Sequence, residues 1–326
     1  TVIVGDTTKP VITLIGSSTV TIELGNDYMD AGANASDNAD GDVAGSITTT
    51  STITTSTAGT YSITYNVSDA SGNQAIPVTR TVIVADMTAP VGLTLNPVTT
   101  LTNTTPQSIS GTKEANSSVW LNGSEIVALD VETTWMYSAA LTEGENTLSF
   151  TSKDGVGNES SSSVIVIVLD TQVPEITGVT NGASYNTGVT PFFGDENGIA
   201  SATLNGAPYA TSTEITAEGI YALEATDNVG NIASTTFTLD VSVPSTPVVN
   251  SVTTPTNLSS QTLTGTKDAN TAILINGGEA VALDVNTSWS ADVALATEGN
   301  NTFDIRARDS AGNLSSSSII VIVKDT

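Results

Sequence analysis

Residues 61–67 read YSITYNV, with Tyr61, Ile63, Tyr65 and Val67 alternating with Ser62, Thr64 and Asn66. A period of two places all four large side chains on one side of an extended backbone, so the segment predicts a half-buried strand. VWLN at 119–122, NTLSFTSKD at 146–154, IYALEATD at 220–227 and NTFDIRARD at 301–309 carry the same pattern. They are rich in the β-branched and aromatic residues that suit a pleated surface. No stretch of comparable length spaces its apolar residues as a helix would. The chain is predicted to be all-β.

Repeats divide it. ISGTKEANSSVWLNG recurs as LTGTKDANTAILING, VALDVETTW as VALDVNTSW, and SSSSVIVIVLDT as SSSSIIVIVKDT, so residues 102–171 and 256–326 are two copies of one unit. The other two units share a plan: an alternating strand, the turn D-x-x-G-N, a second strand and a short linker with proline. The turn reads DASGN, DGVGN, DNVGN and DSAGN, and the linkers read DTTKP at 6–10, DMTAP at 86–90, DTQVP at 170–174 and VPSTP at 243–247. These signals predict four domains, at 1–85, 86–169, 170–241 and 242–326, each of a size at the small end for a β-sandwich. The closing Lys324-Asp325-Thr326 resembles the opening of a further linker, as expected of a segment from a longer array.

Composition narrows the chemistry. The 326 residues include 34 acids, 8 basic residues, no His and no Cys, for a formal net charge of −26. That surface repels nucleic acid and anionic headgroups, and imidazole or thiol catalysis and the usual zinc and copper sites are excluded. Oxygen is the remaining metal ligand. Apolar runs such as VIVIVL at 164–169 and IIVIV at 319–323 are far shorter than the roughly 20 residues of a membrane helix, so no membrane insertion is expected from this segment.

KPVITLIG, YMDAGANASDNADGD, AGTYSITYNVSDASGN and VTRTVIV, within residues 9–84, resemble an immunoglobulin-like domain of bacterial surface proteins. GTKEAN, WLNG, TEGENT and KDGVGNES resemble a second bacterial immunoglobulin-like type, and EGIYALEATDNVGN a third. The resemblance implies tandem sandwiches in secreted or surface-anchored proteins, as stalks of adhesins or as accessory modules beside enzymes.

In such a sandwich D-x-x-G-N lies between the last two strands. Gly supplies a positive φ, Asn tolerates a left-handed conformation, and the Asp carboxylate accepts backbone N–H groups. Turn chemistry alone accounts for these residues. Topology adds a second reading, because the last strand runs from this turn to the domain's C-terminus, so the turn lies at the N-terminal pole beside the incoming linker and the loop between the second and third strands. The first pole would gather Asp6, Asp37, Asp40, Asp42 and Asp69, with Asp30 as a further candidate ligand or a hydrogen-bonding residue at a strand end. The second offers Asp86, Glu114 and Asp154; the third Asp170, Asp195, Glu196 and Asp227; the fourth Asp268 and Asp309, with Asp240 from the linker. Carboxylates so gathered repel one another unless a cation bridges them, and Ca²⁺, which takes six to eight oxygens, fits best. A solvated loop with Asx turns is the competing reading for residues 37–42, and Lys113 and Lys267 compete with a metal at the second and fourth poles.

Trp135 and Trp289 occupy equivalent positions and are expected in the core. Trp120, in whose place the fourth domain is read as having Ile273, is the better candidate for an exposed contact. All five lysines stand in polar loop or linker contexts, which gives no support for an autocatalytic crosslink from a buried lysine. With 5% aromatics there is little material for a glycosidase cleft, and the chain is expected not to be an enzyme. The function expected is that of a stalk in an extracellular bacterial protein, roughly 120–160 Å long if extended. It is expected to be monomeric, with further immunoglobulin-like domains of the same polypeptide as neighbours and a surface ligand met by other domains. The alternative is a carbohydrate- or protein-binding accessory module of a secreted enzyme.

Overall fold

The computed structural model describes residues 5–326. Strands supply all the extended regular structure, and Ala44–Ser46 is a single 3₁₀ turn. Backbone contacts divide the chain into two compact units, Thr1–Thr100 with Thr105–Ile167, and Leu101–Thr104 with Val168–Thr326. Within these units the strands form successive β-sandwich modules.

In the first module, Val11–Leu14, Ala33–Asp37 and Gly41–Asp42 form one sheet; Thr19–Glu23, Val78–Ala85, Gly59–Asn66 and Thr48–Ser51 form the other, in that order. Ile12, Ala35, Ile63, Tyr65, Val67 and Ala75 meet between them, so the alternation of YSITYNV does mark the core face. Thr19–Glu23 runs parallel to Val78–Ala85, which moves the leading segment from one sheet to the other and ties the domain's beginning to its last strand.

Arg80 is buried beside this core, 5.8 Å from the centre of the Tyr65 ring. Its guanidinium is ion-paired to Asp30 and also donates to the carbonyls of Ser17, Ile15 and Gly32, while the Tyr65 hydroxyl donates to Asp30 at 2.6 Å. Burial works against the Asp30 anion, but Tyr65 and Arg80 outweigh it and hold its carboxyl below the usual range.

The second module pairs Thr134–Ala139 with Gln107–Thr112 and Thr94–Leu95, opposite a sheet ordered Ser124–Asp130, Ser117–Leu121, Gly144–Lys153 and Ser163–Leu169. Its repeat builds the same layers from Val248–Val249, Ser260–Thr266 and Ser288–Ala294 against Gly278–Asp284, Thr271–Ile275, Gly299–Arg308 and Ser318–Lys324. Trp135 and Trp289 are core residues, and Trp135 packs on Phe150 with ring centroids 5.2 Å apart. The glycine of each G-T-K motif lies under the indole. A Cβ on Gly111 would come 1.8 Å from the Thr94 carbonyl oxygen, and one on Gly265 would come 1.9 Å from that of Val248.

Strand register corrects one sequence reading. Val119 and Ile273 face Ser152 and Ala307, whereas Trp120 and Leu274 face Thr151 and Arg306, so Leu274 and not Ile273 is the counterpart of Trp120. Trp120 is half-buried, with the Lys153 ammonium 4.2 Å above its ring. The lysine reading is corrected as well, since the side chains of Lys113 and Lys267 are completely buried. Lys113 is ion-paired to Asp130 at 2.7 Å and donates to the Ser117 carbonyl at 2.8 Å; Lys267 is ion-paired to Asp284 at 2.8 Å. A polar stretch such as GTKEAN hides a buried lysine because fixed carbonyls and a carboxylate replace its water. The hydrogen bond from Lys113 holds the Asp130 carboxyl below its ordinary range.

In the third module Glu175–Thr177 pairs with Phe192–Gly194, and the facing sheet is ordered Ala183–Tyr185, Ile232–Leu239, Gly219–Asp227, Ile199–Leu204 and Ala207–Pro208. Phe237, Leu223, Ala225 and Leu239 fill its centre, with Tyr221 stacked on Phe237 at 5.3 Å.

Candidate cation sites and the joints between modules

The four D-x-x-G-N turns have one construction. The glycines Gly72, Gly157, Gly230 and Gly312 have φ of 87°, 97°, 94° and 95°, where a Cβ is strained. Asp154 Oδ1 accepts the backbone N–H groups of Val156, Gly157 and Asn158, and Asp227 Oδ1 those of Val229, Gly230 and Asn231. Burial works against the Asp227 anion, but these bonds outweigh it and hold its carboxyl below the usual range; Asp154 is shifted the same way.

The turn asparagine serves a different purpose from the one its backbone tolerance suggests. None of Asn73, Asn158, Asn231 and Asn313 adopts a positive φ. Each donates Nδ2–H to its own turn aspartate, at 2.7, 2.8, 2.8 and 2.9 Å. The same nitrogen also reaches the incoming linker, donating to the carbonyls of Asp6, Asp86, Asp170 and Asp240 at 3.1, 3.1, 2.9 and 2.7 Å. The linker aspartates bend the chain in turn, since Oδ1 of Asp6, Asp86, Asp170 and Asp240 accepts the N–H two residues on, from Thr8, Thr88, Gln172 and Ser242.

Among the described residues, two triads of acids bring carboxylate oxygens within 4.8 Å of one another: Asp6, Asp37 and Asp69, and Asp170, Asp195 and Asp227. Each triad combines a linker residue, a residue at or just after the end of its module's third strand, and a turn residue. Asp37 and Asp69 are 7% exposed; Asp170 and Asp227 are 1% exposed. Asp37 Oδ1 accepts the N–H groups of Ala39 and Asp40, which hold its carboxyl below the usual range. Its Oδ2 is buried with no hydrogen-bond partner, and so is Asp6 Oδ2. Two buried, unpartnered carboxylate oxygens in one cluster of acids fit a hard cation, which takes oxygen ligands and would offset their mutual repulsion. In the second triad Asp195 Oδ1 accepts Asn197 N–H at 2.8 Å, and the Asn197 amide donates to Asp170 Oδ2 at 3.0 Å.

The other expected ligands lie elsewhere. Asp30 belongs to the Arg80 network, away from the pole. Asp40 accepts Ala70 N–H at 2.8 Å, linking loop to turn, and Asp42 accepts Ala44 N–H at 2.9 Å. Asp86, Glu114 and Asp154 line a shared recess but form no such triad, because Glu114 turns to the linker and accepts Val91 N–H at 2.8 Å. In the repeat Asp268 accepts Ser245 N–H at 2.6 Å, while Asp309 binds its own turn. Lys113 and Lys267 pair with Asp130 and Asp284 instead of with these pole acids.

Sequence reasoning missed a second set of acids, at the opposite pole. Glu23 accepts Met87 N–H and the Thr88 hydroxyl, Glu218 accepts Val241 N–H and the Ser242 hydroxyl, and Glu298 accepts both the N–H and the hydroxyl of Thr326. The available signal was the Glu-Gly pair of AEGI and TEGN, repeated at 218–219 and 298–299.

Residues 12–84 match the family model for the bacterial surface protein, Ig-like domain. That match covers the first module, and the chain as a whole is a series of β-sandwich modules. Over 77 residues it is 39% identical to an outer cell wall protein of Brevibacillus brevis, covering 22% of this chain and 8% of that protein. Over 277 residues it is 28% identical to hyalin of Strongylocentrotus purpuratus, covering 76% of this chain and 22% of hyalin. The chain thus spans less than a quarter of either relative. Among solved structures, the immunoglobulin domains 1–5 of Sidekick-1 share 11% identity over 97% of this chain and 80% of theirs, with a TM-score of 0.33. The fibronectin(III)-like modules of Clostridium thermocellum CbhA share 15% over 47% of this chain and 95% of theirs, with a TM-score of 0.31. Among the described residues no helix is long and apolar enough to cross a membrane.

Proposed function

We propose that this chain is a non-catalytic spacer segment of an extracellular bacterial surface protein, whose first and third modules bind a divalent cation, Ca²⁺ by preference, at their N-terminal poles. The observation that carries the cation reading is the buried, unpartnered Oδ2 of Asp37, set with Asp6 and Asp69 in a triad whose carboxylate oxygens lie within 4.8 Å of one another. Asp6, Asp37 and Asp69 would hold the first ion, and Asp170, Asp195 and Asp227 the other, with carbonyl or water oxygens completing the six to eight that Ca²⁺ takes. Because each triad includes a linker residue, an ion there would tie the linker to the module it enters.

The spacer reading is supported by the repeated plan, by the surface-protein match at 12–84, and by a residue set without His or Cys. The segment acts as a monomer beside further immunoglobulin-like modules of its own polypeptide, and ligand recognition belongs to other domains. Calorimetric titration and melting with Ca²⁺, Mg²⁺ and chelator test the ion. Ca²⁺ at a hundredfold excess over its dissociation constant should stabilise the ion-binding modules by about 2.7 kcal/mol. Identical melting curves with Ca²⁺ and with chelator would remove the cation. Specific binding to a glycan or cell-surface array by this segment alone would favour an accessory binding module over a spacer.

A further inference from the structure

The Asp86–Met87 peptide group is held at both ends by different modules. Its carbonyl accepts Asn158 Nδ2–H from the turn of the second module at 3.1 Å, and its N–H donates to Glu23 of the first at 2.9 Å. The Asp240–Val241 peptide is held identically, by Asn313 of the fourth module at 2.7 Å and Glu218 of the third at 3.0 Å. A trans peptide is planar and points its C=O and N–H in opposite directions, so one rigid group can join two bodies without a flexible atom between them. The Asx bonds from Asp86 to Thr88 N–H and from Asp240 to Ser242 N–H set the orientation of that group.

We propose that the C-terminal pole of these modules is a receptor for the first residues of the outgoing linker, with the sequence Asp followed by a Ser or Thr hydroxyl one or two positions on as its ligand. The Glu carboxylate reads one N–H and one hydroxyl; the next module's turn asparagine completes the grip on the same peptide. Glu298 shows the receptor filled again at the end of the fourth module, by Thr326 N–H at 3.0 Å and the Thr326 hydroxyl at 2.8 Å. The acid comes from different places, as the last residue of Thr19–Glu23 in the first module and as the residue before the strands Gly219–Asp227 and Gly299–Arg308 in the others. The same contact made from two positions in the fold marks the contact itself as the common requirement. The device rests on the spacer reading for its use, but its bonds require no cation.

Hydrogen exchange on the full chain tests this directly. In Glu23→Ala the Met87 amide, and in Glu218→Ala the Val241 amide, should exchange at least about tenfold faster, while the amides of Val82 and Leu239 in the neighbouring strands keep their rates. Glu218 is exposed and Glu23 only half-buried, so both variants should fold. Unchanged Met87 and Val241 rates in these variants would overturn the receptor. Chelator should leave both rates unaltered in the parent chain. Loss of protection on chelation alone would overturn the claim that the grip is independent of the ion, whereas failure to bind Ca²⁺ with the Glu variants behaving as stated would leave the receptor intact.

Discussion

The poles of the first and second modules contain the same parts and differ most tellingly in where the loop acid bonds. Both have an Asx-bent linker, a D-x-x-G-N turn and a turn asparagine on the linker carbonyl. In the first, the loop acid Asp37 bonds within its own loop and leaves Oδ2 facing Asp6 and Asp69. In the second, the loop acid Glu114 bonds out of its loop, to the linker N–H of Val91. The third module follows the first, through Asp195 and Asn197, and the fourth follows the second, through Asp268 and Ser245. The loop acid therefore decides the chemistry of the joint. Bonded locally, it helps form an anionic cluster that calls for a cation; bonded to the linker, it is satisfied by a protein donor and no cluster forms.

The largest effect should come from the part that all four poles share. Asp227→Ala removes the acceptor of three backbone N–H groups and one amide from a residue that is 1% exposed, and hydrogen bonds to a charged group are worth about 1.5–3 kcal/mol each, with imperfect additivity. Chemical denaturation should show its module losing about 3 kcal/mol. Asp154→Ala should show a loss of the same sign in the second module, which forms no acid triad. A loss confined to Asp227 would mean that the turn is not common hardware.

Next in size is the response to acid. The carboxyls of Asp30, Asp37, Asp154 and Asp227 all titrate below their ordinary range in the folded chain. A depressed folded-state pKa gives stability that is fully present above the unfolded value, about 3.9 for Asp, and is lost as pH falls through the folded value. Melting temperature should thus change little on these groups' account from pH 8 to pH 5 and fall below about pH 4. Added Ca²⁺ should move the onset of that fall to lower pH, and melting scans at several pH values, with and without the ion, check both.

A paired substitution separates the two kinds of pole. Asp37→Asn should abolish most of the Ca²⁺-dependent shift of the first module and lower its cation-free melting only slightly, since the amide oxygen still accepts the Ala39 and Asp40 N–H groups but without the charge that strengthens them. By contrast, Glu114→Ala should give the second module a small loss of stability in every buffer and no change in any ion-dependent shift. Differential scanning calorimetry on the two variants reads both outcomes. If the two behave alike, the distinction between the poles fails.

How much of this was legible follows from how local each signal is. The alternation of Tyr61, Ile63, Tyr65 and Val67 fixes a face by itself, so the strands and sandwiches could be read directly. The convergence of Asp6, Asp37 and Asp69 followed from topology once the sandwich was assumed, because loop order places those three segments at one pole. What could not be read was which oxygen each acid leaves free. Asp30 looks like its neighbours in sequence, yet it bonds Arg80, 50 residues away, and Asp37 and Asp268 are the same residue type but bond their own loop and the linker respectively. Lys113 and Lys267 were hidden for the same reason, because each is held by backbone carbonyls, which leave no mark on composition, and by an aspartate 17 residues on.

The smallest expected effect sharpens the size of the cation site. Five acids stand near the first pole in sequence, but Asp42 Oδ1 caps the N–H of Ala44, and Asp42 is exposed and outside the converging triad. A surface acid in that position is worth little once its local bond is replaced, so Asp42→Asn, which keeps an acceptor oxygen, should alter stability by less than about 0.5 kcal/mol. Its Ca²⁺ titration should overlay that of the parent chain, in contrast to Asp37→Asn. A measurable loss of affinity in Asp42→Asn would enlarge the site beyond Asp6, Asp37 and Asp69. It would also draw in the loop strand Gly41–Asp42, and the distinction between the poles would then rest on the length of the loop as well as on the bond made by its first acid.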